Sequence, residues 1–540
     1  MSAIPNSLGL IPPARRVPIP GAPQDLAHVL DKGLAEKPDA EALVGRYARY
    51  SYRQLDAVVS AAAAALASLG IKSGDRVVCS SANDPDVIIA FLATQWLGGI
   101  WVGVNRALTA PEKKYMLENS GCAVFLGDKN TAPQVAEMAA QLPELRHVIE
   151  MEPGKADGQW AKLVAAHDGA KRPEVDIDSW APAAIAYTSG TTGFPKGAVL
   201  SQHNMLLVGA EHRYRNPDDP ATRWGSIFPF TILNMMILVA LKAFQSAGTC
   251  ICMDRVDAVG VAEWVKNERV NQFPMMVATV HDLLTNPEVK KEDIASLISP
   301  GVGGGGFPDT LRELFRERFG VEPQFTYGLT EAPTGVAYTN PRAPRVPGSS
   351  GLVIPSLRVR IADTADKDVP VGETGQILIG PADSGPFANV YAPMLGYWKN
   401  AEATAKALAG GWLHTGDMGY FDADGNLFVS GRGRDMIIRG GANIYPAEIE
   451  RVLAGDSRLR ETAVLGRPDT RLGETVVVFV EPMPGVAADE ALLDELKARC
   501  NAELARYKIP NDWIFVTDMP RNTMRKVQKN KLAEMYFKPG

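Results

Sequence analysis

Apolar residues recur at helical spacing from Tyr52 to Leu69 and stop at Gly70, which predicts one helix. Asp75 to Cys79 then reads as a strand, and Pro85 to Trp96 as an apolar helix. The alternation continues through Ala123–Leu126 and Thr249–Cys252, so an α/β body is expected, with parallel sheets buried between helices. Between Ser349 and Ile379 the pattern shifts to strand-like alternation with turn signals, as in Leu357–Ile361 and Gly372–Ile377, and predicts a β-rich subdomain. A second shift falls at Gly431–Asp435, dense in glycine and charge, beyond which a compact α+β segment runs to Gly540. The expected organisation is therefore a large N-terminal domain, 1–431, built of α/β subdomains plus the β-rich one, and a small C-terminal domain, 432–540.

One stretch does not fit any packing pattern. The apolar strand Ala183–Ala186 runs directly into YTSGTTGFPKG, Tyr187 to Gly197, and apolar residues resume at Ala198–Leu200. Gly190 and Gly193 let backbone N–H groups turn toward one point, and Thr188, Ser189, Thr191 and Thr192 add hydroxyl donors. Lys196 adds a positive charge behind Pro195. Such a loop suits a polyphosphate. The phosphate loop GxxxxGK[ST] is a different device, because Lys196 is followed by Gly197 and then by a strand rather than by a helix.

Composition narrows the partners. The chain has 540 residues, 46% hydrophobic and 22% charged, with a net charge of −6, which favours neither nucleic acid nor an anionic membrane. No run reaches the length of a membrane span, and a soluble, cytoplasmic protein is expected, with self-association left open. The five cysteines are scattered; Cys250 and Cys252 fall in one strand-like run and are expected on opposite faces, so neither a disulfide framework nor structural zinc is expected.

Four further stretches carry chemistry. Tyr327-Gly328-Leu329-Thr330-Glu331 joins an aromatic face, a hydroxyl and a carboxylate able to hold magnesium. Gly303–Gly306 lets a flat ligand lie against bare backbone. Trp412–Asp417 offers an acid for ribose hydroxyls, and Pro520–Lys529 is a cationic loop. Each alone has a plain structural reading: a Tyr-Gly turn, a helix-capping Asp417, a solvated basic face around Lys526.

Together and in this order, YTSGTTGFPKG, YGLTE, WLHTGD with the later Gly431-Arg432, and GGANIYPAEIE at Gly440–Glu450 resemble the adenylate-forming superfamily of acyl-CoA synthetases, adenylation domains and luciferases. The resemblance runs along nearly the whole chain. It implies that Thr188, Ser189, Gly190, Thr191, Thr192, Gly193 and Lys196 hold the ATP phosphates, that Gly304, Gly305 and Gly306 line adenine, and that Tyr327 stacks on it. Thr330 matches an α-phosphate ligand and Glu331 a magnesium ligand; Asp417 and Arg432 match the residues that fix the ribose. Lys526 matches the lysine bridging carboxylate and α-phosphate. The resemblance also implies a mobile C-terminal domain that pivots at Arg434 and brings Gly440 and Gly441 to the pantetheine arm of coenzyme A.

Three positions depart from the pattern. Arg434 stands where many relatives carry aspartate or lysine, Arg525 replaces the usual glycine before the catalytic lysine, and Ile232 falls where many acyl-CoA synthetases have a histidine. The acyl-pocket segments, Phe230, Ile232, Leu233, Asn234 and Met235 with Met276, carry no acid or base. The expected activity is that of an AMP-forming acyl-CoA synthetase using ATP, Mg²⁺ and coenzyme A on an apolar monocarboxylic acid. An adenylation enzyme loading a carrier protein normally sets an aspartate against the substrate ammonium, which these segments lack. A catalytically inactive nucleotide-binding relative is the third reading, and it has to accommodate Lys526, Glu331, Asp417 and Arg432 all being present.

Overall fold

The helix predicted at Pro85–Trp96 forms over those residues, because Asp84 caps its first turn and Pro85 supplies a helical φ without needing its N–H. It is buried along almost its whole length, as its lack of a polar face requires. Beneath it, in a computed structural model of the chain, lies a seven-stranded sheet. The structure describes residues 4–188, 195–216, 222–298, 300–303, 307, 309–333, 335–339, 345–439, 442–469, 472–504, 506–522 and 525–537, with Arg432 and Arg434 described by backbone only.

Five strands of this sheet are parallel, in the order His147–Glu150, Cys122–Gly127, Arg76–Ser80, Ile100–Gly103 and Pro182–Thr188. The sheet then turns antiparallel through Lys196–Ser201 and the short strand Gly396–Tyr397. Helix Tyr52–Ser68, closed by a Ser51/Gln54 capping box, packs with Pro85–Trp96 into the main apolar core. A four-stranded sheet of Arg49–Ser51, Glu41–Val44, Thr249–Cys252 and Arg223–Ser226 shares that core.

Strand Thr249–Cys252 corrects one expectation. Side chains two apart in a strand share a face, and Cys250 and Cys252 both pack in the main core while Ile251 points into a second one. All five cysteines are buried free thiols.

The β-rich subdomain is an antiparallel sheet of Leu357–Ala362, Gly375–Pro381, Leu413–Phe421 and Leu427–Arg432. After it comes a 3-10 turn, Gly433–Asp435, and from Ile437 onward the chain builds separate apolar clusters around strands Leu459–Asp469 and Gly473–Pro482. Among the described residues no helix is long and apolar enough to cross a membrane.

Candidate active site

The strand Pro182–Thr188 ends where the polar loop begins, and Lys196–Ser201 returns antiparallel beside it, with Thr188 and Lys196 as the last cross-strand partners. The two ends of the loop are thus pinned to a rigid sheet. Ser189, Gly190, Thr191, Thr192 and Gly193 lie outside the described residues, as do Gly304, Gly305, Gly306, Gly440 and Gly441. The Thr188 hydroxyl donates to Glu331 Oε1 across 3.4 Å, so the YGLTE stretch reaches the mouth of the loop from 143 residues away.

Glu331 has a second donor. Tyr397, in the strand paired with Lys196–Ser201, donates its hydroxyl to the same Oε1 at 3.1 Å, and its ring lies 5.4 Å from Lys196 Nζ. One tyrosine therefore touches both the loop's cation and the acid opposite it. Among the described residues, Glu331 forms no ion pair, and its recorded side-chain partners are these two neutral hydroxyls. A carboxylate held by two neutral donors, with no cation paired to it among the described residues, is of the type that could serve as a ligand to a divalent cation. Sequence reasoning missed Tyr397, since nothing local marks a tyrosine whose partners are 66 and 201 residues away.

Thr330 Oγ1 lies 3.5 Å from Asn234 Oδ1, at the limit of a weak hydrogen bond, and so links YGLTE to the expected acyl segment. In that segment Phe230, Leu233 and Met235 are buried in the main core, whereas Ile232, Asn234 and Met276 are half-buried. Ile232 packs against that core from its edge. Two devices fix the segment. A Cβ on Gly103 would meet Thr231 O at 1.7 Å, so only glycine lets the loop backbone sit on the end of strand Ile100–Gly103. Asn83 accepts from Phe230 N at 3.3 Å and donates to Ser226 O at 2.8 Å and Met253 O at 3.0 Å, bolting the segment between two sheets. Asn83 was also invisible in the sequence, where it reads as one more turn residue.

The expected adenine and ribose groups meet as well. Tyr327 ends strand Gln324–Tyr327 and donates its hydroxyl to Asp417 Oδ2 at 2.6 Å. Asp417 lies within strand Leu413–Phe421, not at a helix start, so it is no helix cap; its backbone N–H donates to Thr415 Oγ1 at 3.0 Å. Arg432 is its cross-strand partner by backbone register. Arg434 falls in the 3-10 turn that follows.

The basic stretch near the C-terminus is not a uniform solvated face. Arg521 is held by Glu461 at 2.7 Å and by the fully buried Glu481 at 2.6 Å. A bridge between Arg521 and Val527 closes a tight loop around Asn522, whose Oδ1 accepts from Lys526 N at 2.9 Å. Lys526 is exposed where the loop closes, next to that bridge.

Residues 30–398 match the family model of AMP-binding enzymes, and residues 448–526 match that of the AMP-binding enzyme C-terminal domain. The chain belongs to the AMP-binding enzyme family. The indoleacetate–CoA ligase of Aromatoleum aromaticum is 31% identical over 517 residues, 95% of this chain and 98% of the relative. A methyl-dioxo-octahydroindenyl-propanoyl:CoA ligase of Mycobacterium tuberculosis is 33% identical over 525 residues, 94% and 98% of the two chains. Among solved structures, ATP-bound MatB from Rhodopseudomonas palustris superposes with a TM-score of 0.84 at 27% identity, over 94% of this chain and 99% of that one. Its apo form gives 0.77 over 95% and 98%. The superposition on the ATP-bound form is the better of the two.

Proposed function

We propose that the chain is an AMP-forming acid–CoA ligase acting on an apolar monocarboxylic acid. The observation that carries this is the meeting of three segments at Thr330 and Glu331, with Asn234 of the acyl segment on one side and Thr188 at the mouth of the phosphate loop on the other. A carboxylate lying along Ile232, Asn234 and Met276 would have its oxygen beside the phosphates.

The chemistry follows from what a carboxylate lacks, namely a leaving group. In the first step a carboxylate oxygen attacks the α-phosphorus of ATP, the bond to the β-phosphate bridging oxygen breaks, and pyrophosphate leaves with the electron pair. Thr330 orients the α-phosphate, and Lys526, from the C-terminal domain 432–540, holds charge on the carboxylate and phosphate oxygens. Glu331 would hold magnesium, which would supply neutralisation of the phosphate charge when bound. Tyr327 and Asp417, with Arg432, bind the nucleoside. In the second step the coenzyme A thiolate attacks the acyl carbon, and the bond to AMP breaks. The C-terminal domain pivots at Arg434 between the steps, bringing Gly440 and Gly441 to the pantetheine arm.

The substrate class rests on the acyl segment. An unpartnered charge there would be expensive to desolvate, and none of Phe230, Ile232, Leu233, Asn234, Met235 or Met276 offers a counter-ion. Both curated relatives above are named for acids carrying rings, which puts alicyclic and aromatic acids beside branched and short to medium aliphatic ones. The test is AMP formation from a panel of such acids, with and without coenzyme A. Coenzyme A-dependent turnover is expected on apolar monocarboxylates. A dicarboxylate or amino acid as the best substrate would overturn the pocket assignment, and adenylation without any transfer to coenzyme A would favour a carrier-protein acceptor.

A further inference from the structure

Arg525 stands where a glycine is usual, and its backbone explains the glycine: φ is +58°, in the left-handed region that side-chain-bearing residues enter rarely. A residue held there has to be kept by something. Its N–H donates to Asn522 O at 2.9 Å, and its guanidinium Nη1 donates to Asp282 Oδ2 at 3.0 Å. That ion pair spans 243 residues and joins the lysine loop to helix Val277–Thr285, which begins one residue after Met276 of the acyl segment. His281 Nδ1 lies 3.8 Å from the other Asp282 oxygen. His281 first, and Arg525 with it, hold the Asp282 carboxyl below its ordinary range, so it is an anion at any working pH.

We propose that Arg525 is a positioning residue: its ion pair with Asp282 clasps the Lys526 loop to the large domain in the adenylation pose and is released before the thiol step. The inference rests on the reading of Lys526 and of two domain poses given above. Two features support it. The chain superposes better on the ATP-bound than on the apo form of MatB, with TM-scores of 0.84 and 0.77. The pair is the kind a pivoting domain can break: both side chains are about half exposed, 58% for Arg525 and 42% for Asp282, so water replaces the contact at little cost. A glycine at 525 would relieve the backbone but leave the loop untethered. Here the tether and the lysine are adjacent, so the clasp fixes where Lys526 can reach.

The test separates the half-reactions in the full-length enzyme. Acid-dependent ATP–pyrophosphate exchange reads the first, and coenzyme A thioester formation from a supplied acyl-adenylate reads the second. Asp282→Asn and Arg525→Gly are each expected to lower the first about two- to five-fold at low salt, the range of an exposed ion pair, and to leave the second unchanged or faster. High salt should shrink the difference from wild type. The exchanged pair Asp282→Arg with Arg525→Asp should restore the first half-reaction, which a merely structural loss would not do. Unaltered exchange in Asp282→Asn, equal loss in both halves, or failure of the exchanged pair to recover overturns the clasp. Lys526→Ala keeps the two readings distinguishable: if it abolishes adenylation while Asp282 variants are silent, only the clasp falls.

Discussion

The hydroxyl of Tyr327 donates to Asp417 across 2.6 Å, so the ring expected against adenine and the acid expected at the ribose are bonded to each other. Both are buried, Tyr327 at 8% and Asp417 at 7% exposure, and a buried carboxylate depends on its donors. A carboxylate has lone pairs to spare for ribose hydroxyls beside the tyrosine.

Tyr327→Phe keeps the stacking face and removes that donor. Because hydrogen bonds to charged groups are worth about 1.5–3 kcal/mol, the expected result is an ATP KM raised about ten-fold with kcat little changed. Steady-state kinetics in ATP decide it; a kcat effect at unchanged KM would mean that Tyr327 acts on the reaction itself.

Elements whose signal is local were legible in the sequence. Helices Tyr52–Ser68 and Pro85–Trp96 and the strands flanking the polar loop announce themselves by periodicity and caps within a dozen residues. Site residues were legible where they cluster in one stretch, as in YGLTE. Tyr397 and Asn83 were not, because their roles arise from contacts that only the folded sheet creates. The facing of Cys250 and Cys252 was misread by setting aside the strand's period of two, a local error rather than a tertiary one.

Tyr397 offers two separable contacts. Tyr397→Phe keeps the ring near Lys196 and deletes the hydroxyl that orients Glu331. It is expected to raise the magnesium concentration giving half-maximal rate several-fold, while saturating magnesium restores most of kcat. Tyr397→Leu also removes the ring and should raise the ATP KM in addition, by about two- to five-fold for a partly exposed cation–π contact. Magnesium titrations at fixed ATP distinguish the two; identical profiles for Phe and Leu would refute the division of labour.

Stability should fall as pH rises from about 4 to about 7. Burial pushes the Asp84 carboxyl up to about 6, and burial with repulsion from Asp84 pushes Asp86 up to about 7, against a hydrogen bond from Trp160. In the unfolded chain both titrate near 4. Between those values the folded state keeps protons that the unfolded state gives up, so the contribution is present below about pH 4 and lost as pH climbs through 6 and 7. Asp86→Asn removes the ionising group without its shape. The variant should exceed wild type at pH 8 by on the order of 1–2 kcal/mol, less than the full linkage value because Asp86 is only half-buried, and the gap should narrow at pH 5. Urea unfolding at the two pH values measures it; a gap independent of pH would assign the effect to packing.

Lys526 is the sharpest point of the functional reading. Its side chain is exposed where the loop closes, and the loop is anchored by Arg521 to Glu461 and Glu481, so Lys526→Ala is expected to leave the fold intact. In the proposed chemistry it serves only the step in which charge gathers on the carboxylate and α-phosphate oxygens; the thiol step needs no cation at that position. Lys526→Ala should therefore lower acid-dependent pyrophosphate exchange by about two to four decades, comparable to or beyond the loss of one preorganised donor from an oxyanion site. Thioester formation from a supplied acyl-adenylate should stay within a few-fold of wild type. Unchanged thermal unfolding would tie the loss to chemistry rather than to folding. If both half-reactions fall together, the lysine holds the C-terminal domain in general rather than the transferring phosphoryl group, and the assignment of the first step to this loop fails.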